Sequence, residues 1–338
     1  MSWYQVKGND TDTVFSTRIR FARNLEGYAF GRHLSEEKRI EIARRVGEAL
    51  GKDYTAIDVG AQTPLQREAL VEQHLISREF ATAKGARTLF VNNGKSLSVM
   101  TPEEDHVRLQ CILPGLALED AYRFACEADE RLDAALPIAF DEKLGYLTHC
   151  LTNLGTGMRA SVMLFLPALT EEGAIPSLAH QLSKLGLTMR GLYGEGSKSY
   201  GCLYQVSNQV TLGLSEEELL HKLSDAVQSI IKRERELREA VKGDAALLRA
   251  DRIARAEGTA RFATLLSSEE FFRIFSDLKL GIALGLVDSI STEALHALLV
   301  HTQPATLTAS SPDPLKTGME RDRARAALIK KAWEVKGA

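Results

Sequence analysis

Asn93-Gly94 lies between two strand-like runs, 88–91 and 96–100, and this pair restricts the fold more than any other in the chain. An Asn-Gly pair suits the positive φ of a tight hairpin turn, so the flanking runs are expected to pair antiparallel. A third strand is expected at 107–112, and strand character returns at 145–167 (broken at Gly155-Thr156-Gly157), 188–192 and 202–212. Helical composition and apolar spacing mark 35–50, 65–81, 117–136 and 174–186. Hairpins joining strands predict an α+β fold with a large, mainly antiparallel sheet flanked by helices, not a doubly wound parallel one.

The pattern changes at Ser215. Ser215-x-x-Glu218 reads as a capping box. It opens a long helix with Leu219, Leu220, Leu223, Val227, Ile230 and Ile231 on its apolar stripe, running on through the charged residues 232–238. Residues 245–338 read as almost wholly helical, with a second box at Ser267-x-x-Glu270, a Pro/Ser/Thr-rich loop at 302–316 and a last helix from about Gly318. A boundary at 235–245 divides the chain into a catalytic-type domain, 1–240, and a helical domain, 241–338.

Bulk properties exclude several classes. The 338 residues carry a formal net charge of −3, which builds no global field for nucleic acid or anionic lipid. The first residues show no signal peptide, and no apolar run reaches the ~20 residues that span a bilayer. Cys111, Cys126, Cys150 and Cys202 are scattered without metal-ligand spacing, which suits a reduced, cytoplasmic setting. Gly94-Lys95-Ser96 ends like a phosphate-binding P-loop, but Leu89 stands where the motif needs its first glycine. The absence of HRD and DFG excludes a eukaryotic-type protein kinase.

The run from Glu103 to Arg108 carries acids, a histidine and an arginine. Read as the start of a strand, it places Glu104, His106, Arg108 and Gln110 on one face, with Val107, Leu109 and Cys111 on the other. Arg18 and Arg20 also share a strand face, Arg159 opens the strand at 159–165, and Arg190 precedes a glycine-rich loop containing Glu195. Each arginine alone suits a surface or ion-paired role. Together, five guanidinium forks at polar strand ends suit the oxygens of a triphosphate. Glu104 and Glu195 are the matching carboxylates, and Cys150 is a thiol whose neighbours Thr152 and Asn153 can donate to a thiolate.

The segments STRIRFARN (16–24), EEDHVRLQ (103–110), CLTNLGTGMRASV (150–162), RGLYGEGS (190–197) and YQVSNQVTLG (204–213), in this order and spacing, resemble the ATP:guanido phosphotransferase family. That family includes the creatine and arginine kinases, and the likeness is greater to its bacterial protein-arginine kinase branch. The chain begins close to the first arginines, leaving no room for the small N-terminal helical domain of the free-guanidino kinases. The resemblance implies nucleotide binding by Ser16, Thr17, Arg18, Ile19 and Arg20, by Arg108, by Arg159, Ala160, Ser161, Val162 and Met163, and by Arg190, Gly191, Leu192, Tyr193, Gly194 and Glu195. It implies that Glu104 and Glu195 hold the substrate guanidinium, Glu104 being chosen as the base, with Cys150 beside it. Arg321-Asp322-Arg323-Ala324-Arg325-Ala326 is similar to that branch's phosphoarginine-binding motif, which implies an allosteric site at Arg321, Asp322 and Arg325. Two departures stand out: Pro102 replaces Asn before the acidic pair, and Leu151 replaces Pro after the thiol.

ATP with Mg²⁺ bound to it, protein substrates with exposed arginines and a homodimer follow from the resemblance. So do a role in protein quality control and stress response, a McsA-like activator, a CtsR-like repressor and Clp protease components. A kinase of free arginine or another small guanidino compound, and a catalytically silent phosphoarginine-binding adaptor, are the alternatives.

Overall fold

The computed structural model describes residues 2–192 and 200–334, apart from the side chains of Arg32 and Tyr200. Among the described residues ten strands form in chain order: β1 (Val14–Arg23), β2 (Tyr54–Asp58), β3 (Thr88–Asn92), β4 (Leu97–Thr101), β5 (Val107–Pro114), β6 (Phe140–Asp141), β7 (Gly145–Tyr146), β8 (Met158–Phe165), β9 (Leu187–Gly191) and β10 (Leu203–Asn208). Eight of them make one sheet in the order β2-β3-β4-β5-β1-β8-β10-β9, while β6 and β7 form a small separate hairpin. Every strand pairing is antiparallel, as the hairpin signals predict. The β3–β4 turn reaches its geometry differently from a two-residue Asn-Gly turn. Asn92 Oδ1 accepts from the backbone N–H of Ser96 and of Leu97, and the positive φ falls on Lys95 rather than on Gly94.

The first helices are α1 (Glu36–Leu50), α2 (Pro64–Glu72), α3 (Arg78–Thr82), α4 (Leu118–Ala135), α5 (Pro167–Glu171), α6 (Ile175–Lys184) and α7 (Glu216–Ala240). The helix expected at 65–81 is thus two helices. Thr63 caps the first and Ser77 the second, each through its side-chain oxygen, and residues 73–77 between them leave helical geometry. The Ser215 box forms as expected, with Ser215 Oγ accepting from Glu218 N and Glu218 Oε2 from Ser215 N. One side of the sheet carries Ile19, Phe21, Leu109, Cys111, Ala160, Val162 and Val206. These pack with Val46 of α1, Leu132 of α4, Leu182 of α6 and Val227 of α7 into the main core. Arg23 pins this face: it is buried and pairs with Asp129 of α4 at 2.6 Å.

The rest of the chain is helical: α8 (Asp244–Phe262), α9 (Ser268–Ala283), α10 (Thr292–His301), α11 (Pro304–Ser310) and α12 (Gly318–Glu334). The segment expected as a loop at 302–316 therefore contains a helix, started by Pro304 at its first position and by Glu72, which accepts from the N–H of Ala305 and Thr306. These helices share a core with Trp3, Tyr4, Phe15, Ile112, Phe165 and Leu203, so they pack on the sheet and on the N-terminal segment. No described helix is long and apolar enough to cross a membrane.

Candidate active site

Residues directly opposite one another in an antiparallel ladder share a face. Arg18 is opposite Ser161, Arg20 is opposite both Gln110 and Arg159, Ala22 is opposite Arg108, and Gln205 is opposite both Met163 and Arg190. The five arginines named from sequence therefore stand on one face of the sheet, contributed by β1, β5, β8 and β9. Intervening residues point the other way: Ile19, Ala160 and Val162 are fully buried in the core, and Thr17 Oγ1 donates to Gly115 O. Ser16, Arg18, Arg20, Ser161 and Met163 thus lie on the arginine face, whereas the side chains of Thr17, Ile19, Ala160 and Val162 point away from it.

The acidic run is not a strand. β5 begins at Val107, and residues 102–106 form a bend after a cis Thr101–Pro102 bond, so the expected alternation fails before Arg108. His106 is fully buried: its Nδ1 accepts from Leu25 N, so Nε2 carries the proton and donates to Ala29 O. That pairing and burial, which lowers its pKa, keep it neutral. Asp105 Oδ1 accepts from Asn24 Nδ2 and from His149 N, each at 2.7 Å, tying the acidic bend to the end of β1 and to the Cys150 segment. Gly31 lies so close to the carbonyls of Glu103 and Glu104 that a Cβ there would collide with them.

This bend presents Glu103 and Glu104 to a cavity of about 160 Å³, lined also by Arg20, Arg108, Cys150, Asn153 and Arg159. Glu103, which sequence reasoning passed over, accepts from Ser77 Oγ at 2.5 Å and takes Arg108 Nη1 on both carboxylate oxygens at 2.9 Å. Glu104 is freer, with one oxygen 3.4 Å from His149 Nδ1. Cys150 Sγ lies 3.0 Å from Thr152 Oγ1, the neighbour expected to donate to it. Gly155, at φ +106, presses against Thr211, whose Oγ1 donates to the carbonyls of Thr152 and Leu154 and so sets the thiol's loop.

A second cavity, of about 170 Å³, adjoins through Arg159, with Thr188, Arg190 and Asn208. A third, of about 290 Å³, adjoins Arg18 and is lined by Trp3, His74, Ile112, Met163, Leu192 and Val300. Arg18, Met163 and Leu192 were named from sequence, but Trp3, His74, Ile112 and Val300 lie far apart in the chain and no local motif announces them. Tyr193, Gly194 and Glu195 lie outside the described residues.

The cations are poorly compensated. Burial pushes Arg18 down to about 10, helped by the charges of Arg108 and Arg159. Arg20 is lowered further, first by burial and then by Arg18, Arg108 and Arg159, with Glu103 opposing. Arg159 is lowered by burial and by Arg190 and Arg108. The buried Nε atoms of Arg20 and Arg159 have no hydrogen-bond partner among the described residues. Such a cluster fits a polyanion. No group of three His, Cys, Asp or Glu that could hold a metal ion forms among the described residues.

At the far end of the chain, Arg325 is buried on α12. Its Nε donates to Thr302 O, and its Nη1 to Leu266 O and Asp322 Oδ1. Arg321 and Asp322 are less buried on the same helix.

The family model described as ATP:guanido phosphotransferase, C-terminal catalytic domain, matches residues 38–237. A second, described as the protein-arginine kinase McsB C-terminal domain, matches 247–337. A protein-arginine kinase of Symbiobacterium thermophilum is 41% identical over 337 residues, 97% of this chain and 95% of that protein. This chain belongs to the protein-arginine kinase family. The Bacillus cereus member is 40% identical over 341 residues, 98% of this chain and 96% of that protein. Among solved structures, lombricine kinase superimposes with a TM-score of 0.60 at 26% identity, covering 72% of this chain and 71% of that one. The duplicated taurocyamine kinase of Schistosoma mansoni, with bound transition-state-analogue components, gives 0.62 at 26% identity over 80% of this chain. This chain spans 40% of that one. This chain thus has its fold in common with lombricine and taurocyamine kinases. Arg18 and Arg20 lie before the first matched span.

Proposed function

We propose that the chain transfers the γ-phosphoryl group of ATP to a guanidino nitrogen of arginine side chains in proteins. The observation that carries this reading is the sheet face on which Arg18, Arg20, Arg108, Arg159 and Arg190 converge beside Glu104 and Cys150. It occurs in a chain that matches protein-arginine kinases along nearly its whole length.

A guanidinium, with a pKa of roughly 12.5–13.8, is protonated and a poor nucleophile. The site has to hold it in line with the γ-phosphorus and take a proton as the N–P bond forms. Glu104, the freest of the three acids that line the cavity, is the base and orienting group. Glu103 instead braces Arg108 against the phosphates. Glu195 is proposed, from the resemblance alone, as the second carboxylate on the guanidinium. Cys150 borders the same cavity and contributes a thiol held by Thr152. The nucleoside fits the cavity of Trp3, His74 and Leu192, and its phosphates run along Arg18, Arg20, Arg159 and Arg108. Arg190, Gly191 and Leu192 close the nucleotide site from the β9 side, and Tyr193 and Gly194 are proposed as nucleotide-binding from the resemblance alone. Magnesium bound to the nucleotide would supply further charge neutralisation.

Residues 1–240 are proposed as the catalytic domain and 241–338 as the helical domain, with phosphoarginine held by Arg321 and Asp322. Arg325 positions that helix by holding the carbonyls of Leu266 and Thr302. A cytoplasmic homodimer working in protein quality control and stress response completes the proposal, with a McsA-like activator, a CtsR-like repressor and Clp protease components.

The test is incubation with labelled ATP, an unfolded protein and, in parallel, free arginine. Acid-labile, alkali-stable label on protein arginine supports the reading; acid-stable serine phosphate overturns it. The likeness to taurocyamine and lombricine kinases favours, as a second reading, a small guanidino substrate. That reading predicts turnover of free arginine and no label on protein.

A further inference from the structure

Phosphorylating an arginine leaves a proton behind. The N–P bond forms as one guanidinium N–H bond breaks, the bond from the γ-phosphorus to the bridging oxygen breaks, and ADP departs with that electron pair. We propose that His149 receives this proton from Glu104 and passes it to water. The inference rests on Glu104 being the base, as read above.

Cys150 borders the same cavity as Glu104 with its thiol on Thr152, and among the described residues His149 is the titratable side chain in contact with the Glu104 carboxylate. Glu103 is engaged by Ser77 and by both contacts from Arg108. Asp105 Oδ1 already accepts two hydrogen bonds, and both ring nitrogens of His106 are paired in its buried neutral form. His149 Nδ1 stands 3.4 Å from Glu104 Oε1, a separation of the kind that shortens when a substrate completes the site. Its Nε2 has no partner among the described residues, and 31% of its side chain reaches solvent. A guanidinium seated on Glu104 covers that carboxylate. His149 stands at its flank with one nitrogen toward the acid and the ring open to water.

The position of His149 is secured independently of its imidazole chemistry. Its backbone N–H donates to Asp105, and its ring packs edge-on against Phe30 with centroids 5.6 Å apart. A replacement therefore keeps the main-chain anchor of the loop. The relay balances in protons: the Glu104 carboxylate takes the guanidinium proton, the acid gives it to Nδ1 of His149, Nε2 releases one to water, and water-mediated exchange moves the remaining ring proton from Nδ1 back to Nε2 before the next turnover. His149 acts through Glu104 and does not touch the substrate, which makes it a positioning residue with a proton-carrying role.

The experiment measures phosphoarginine formation on a peptide by the full-length wild type, His149→Ala, His149→Gln and Glu104→Gln, each with and without added imidazole. His149→Ala is expected to lose about tenfold in kcat, the equivalent of one proton step made slower by ~1.4 kcal/mol, with KM for ATP and peptide unchanged. Imidazole restores it. His149→Gln, whose amide can orient Glu104 but cannot carry a proton onward, stays slow and is not restored. A wild-type rate in His149→Gln, or no response of His149→Ala to imidazole, overturns the relay. Glu104→Gln reports separately on the base: turnover that survives this change overturns the assignment of Glu104, and a wild type that labels no arginine overturns the functional reading itself.

Discussion

Glu103 is the counter-ion that lets the arginine face exist without a ligand, and replacing it with Gln tests that idea. Both of its oxygens face Arg108 Nη1 at 2.9 Å, and its side chain is only 5% exposed. At an effective dielectric of about 20, a charge pair at this distance has a gross attraction of about 6 kcal/mol. Desolvation of the two groups and the partial exposure of Arg108 reduce this to about 2 kcal/mol net. Glu103→Gln keeps the Ser77 contact and the volume but removes the charge. Arg108 is then left among Arg18, Arg20 and Arg159 with its partner gone.

The ligand-free variant should therefore be less stable by about 2 kcal/mol in urea unfolding. Saturating ADP should erase most of that difference, because a ligand that binds only the folded state stabilises it, and the more so where it supplies the missing anion. An equal loss with and without ADP would refute the reasoning, since Glu103 would then serve only local packing. So would a variant as stable as wild type without nucleotide.

Further outcomes follow from the same geometry. Arg20→Met should raise KM for ATP by about 10- to 150-fold, the cost of one hydrogen bond to a charged group. Because it also removes a repelling cation, the ligand-free protein should melt no lower than wild type; a lower Tm would show that Arg20 supports the fold. Arg325→Ala leaves the carbonyls of Thr302 and Leu266 unpaired and empties a site that is 1% exposed, so it should cost about 3 kcal/mol in thermal or urea unfolding. Arg321→Ala should leave stability within about 0.5 kcal/mol and weaken phosphoarginine binding, read by calorimetry.

Lys279, buried and next to Arg238, is pushed down to about 7 from 10.5. The unfolded chain then binds a proton that the native state does not, so stability should rise with pH between 7 and 10.5. Lys279→Met should flatten that rise in unfolding measured across the interval; an unchanged slope would place the titration elsewhere.

Local signals carried the secondary structure wherever a cap or turn residue acted alone. The Ser215 box and the turn after β3 appear where the sequence places them, and Ser267 caps its helix through Glu270 N without the return bond of the expected box. Alternation failed in the acidic run because Asp105 and His106 are claimed by Asn24, Leu25 and Ala29, about 80 residues earlier. Glu72 likewise starts a helix 233 residues further along. Such partners have no local trace, and so Glu103, His149 and the cavity around His74 were missed as parts of the site.

By itself, the order of residues settled which side chains carry charge, which positions alternate along a strand, and that Arg18 and Arg20 must share a face. Those properties depend on neighbours one to four places away. Which strands lie side by side, and hence that Arg20 meets Arg159 across β1 and β8 while Glu103 leans on Arg108, depended on long-range pairing. The same is true of the helices after α7, which cover Phe15 and Phe165 of the sheet. Burying both apolar surfaces together, and neutralising opposed charges where they meet, requires the assembled chain.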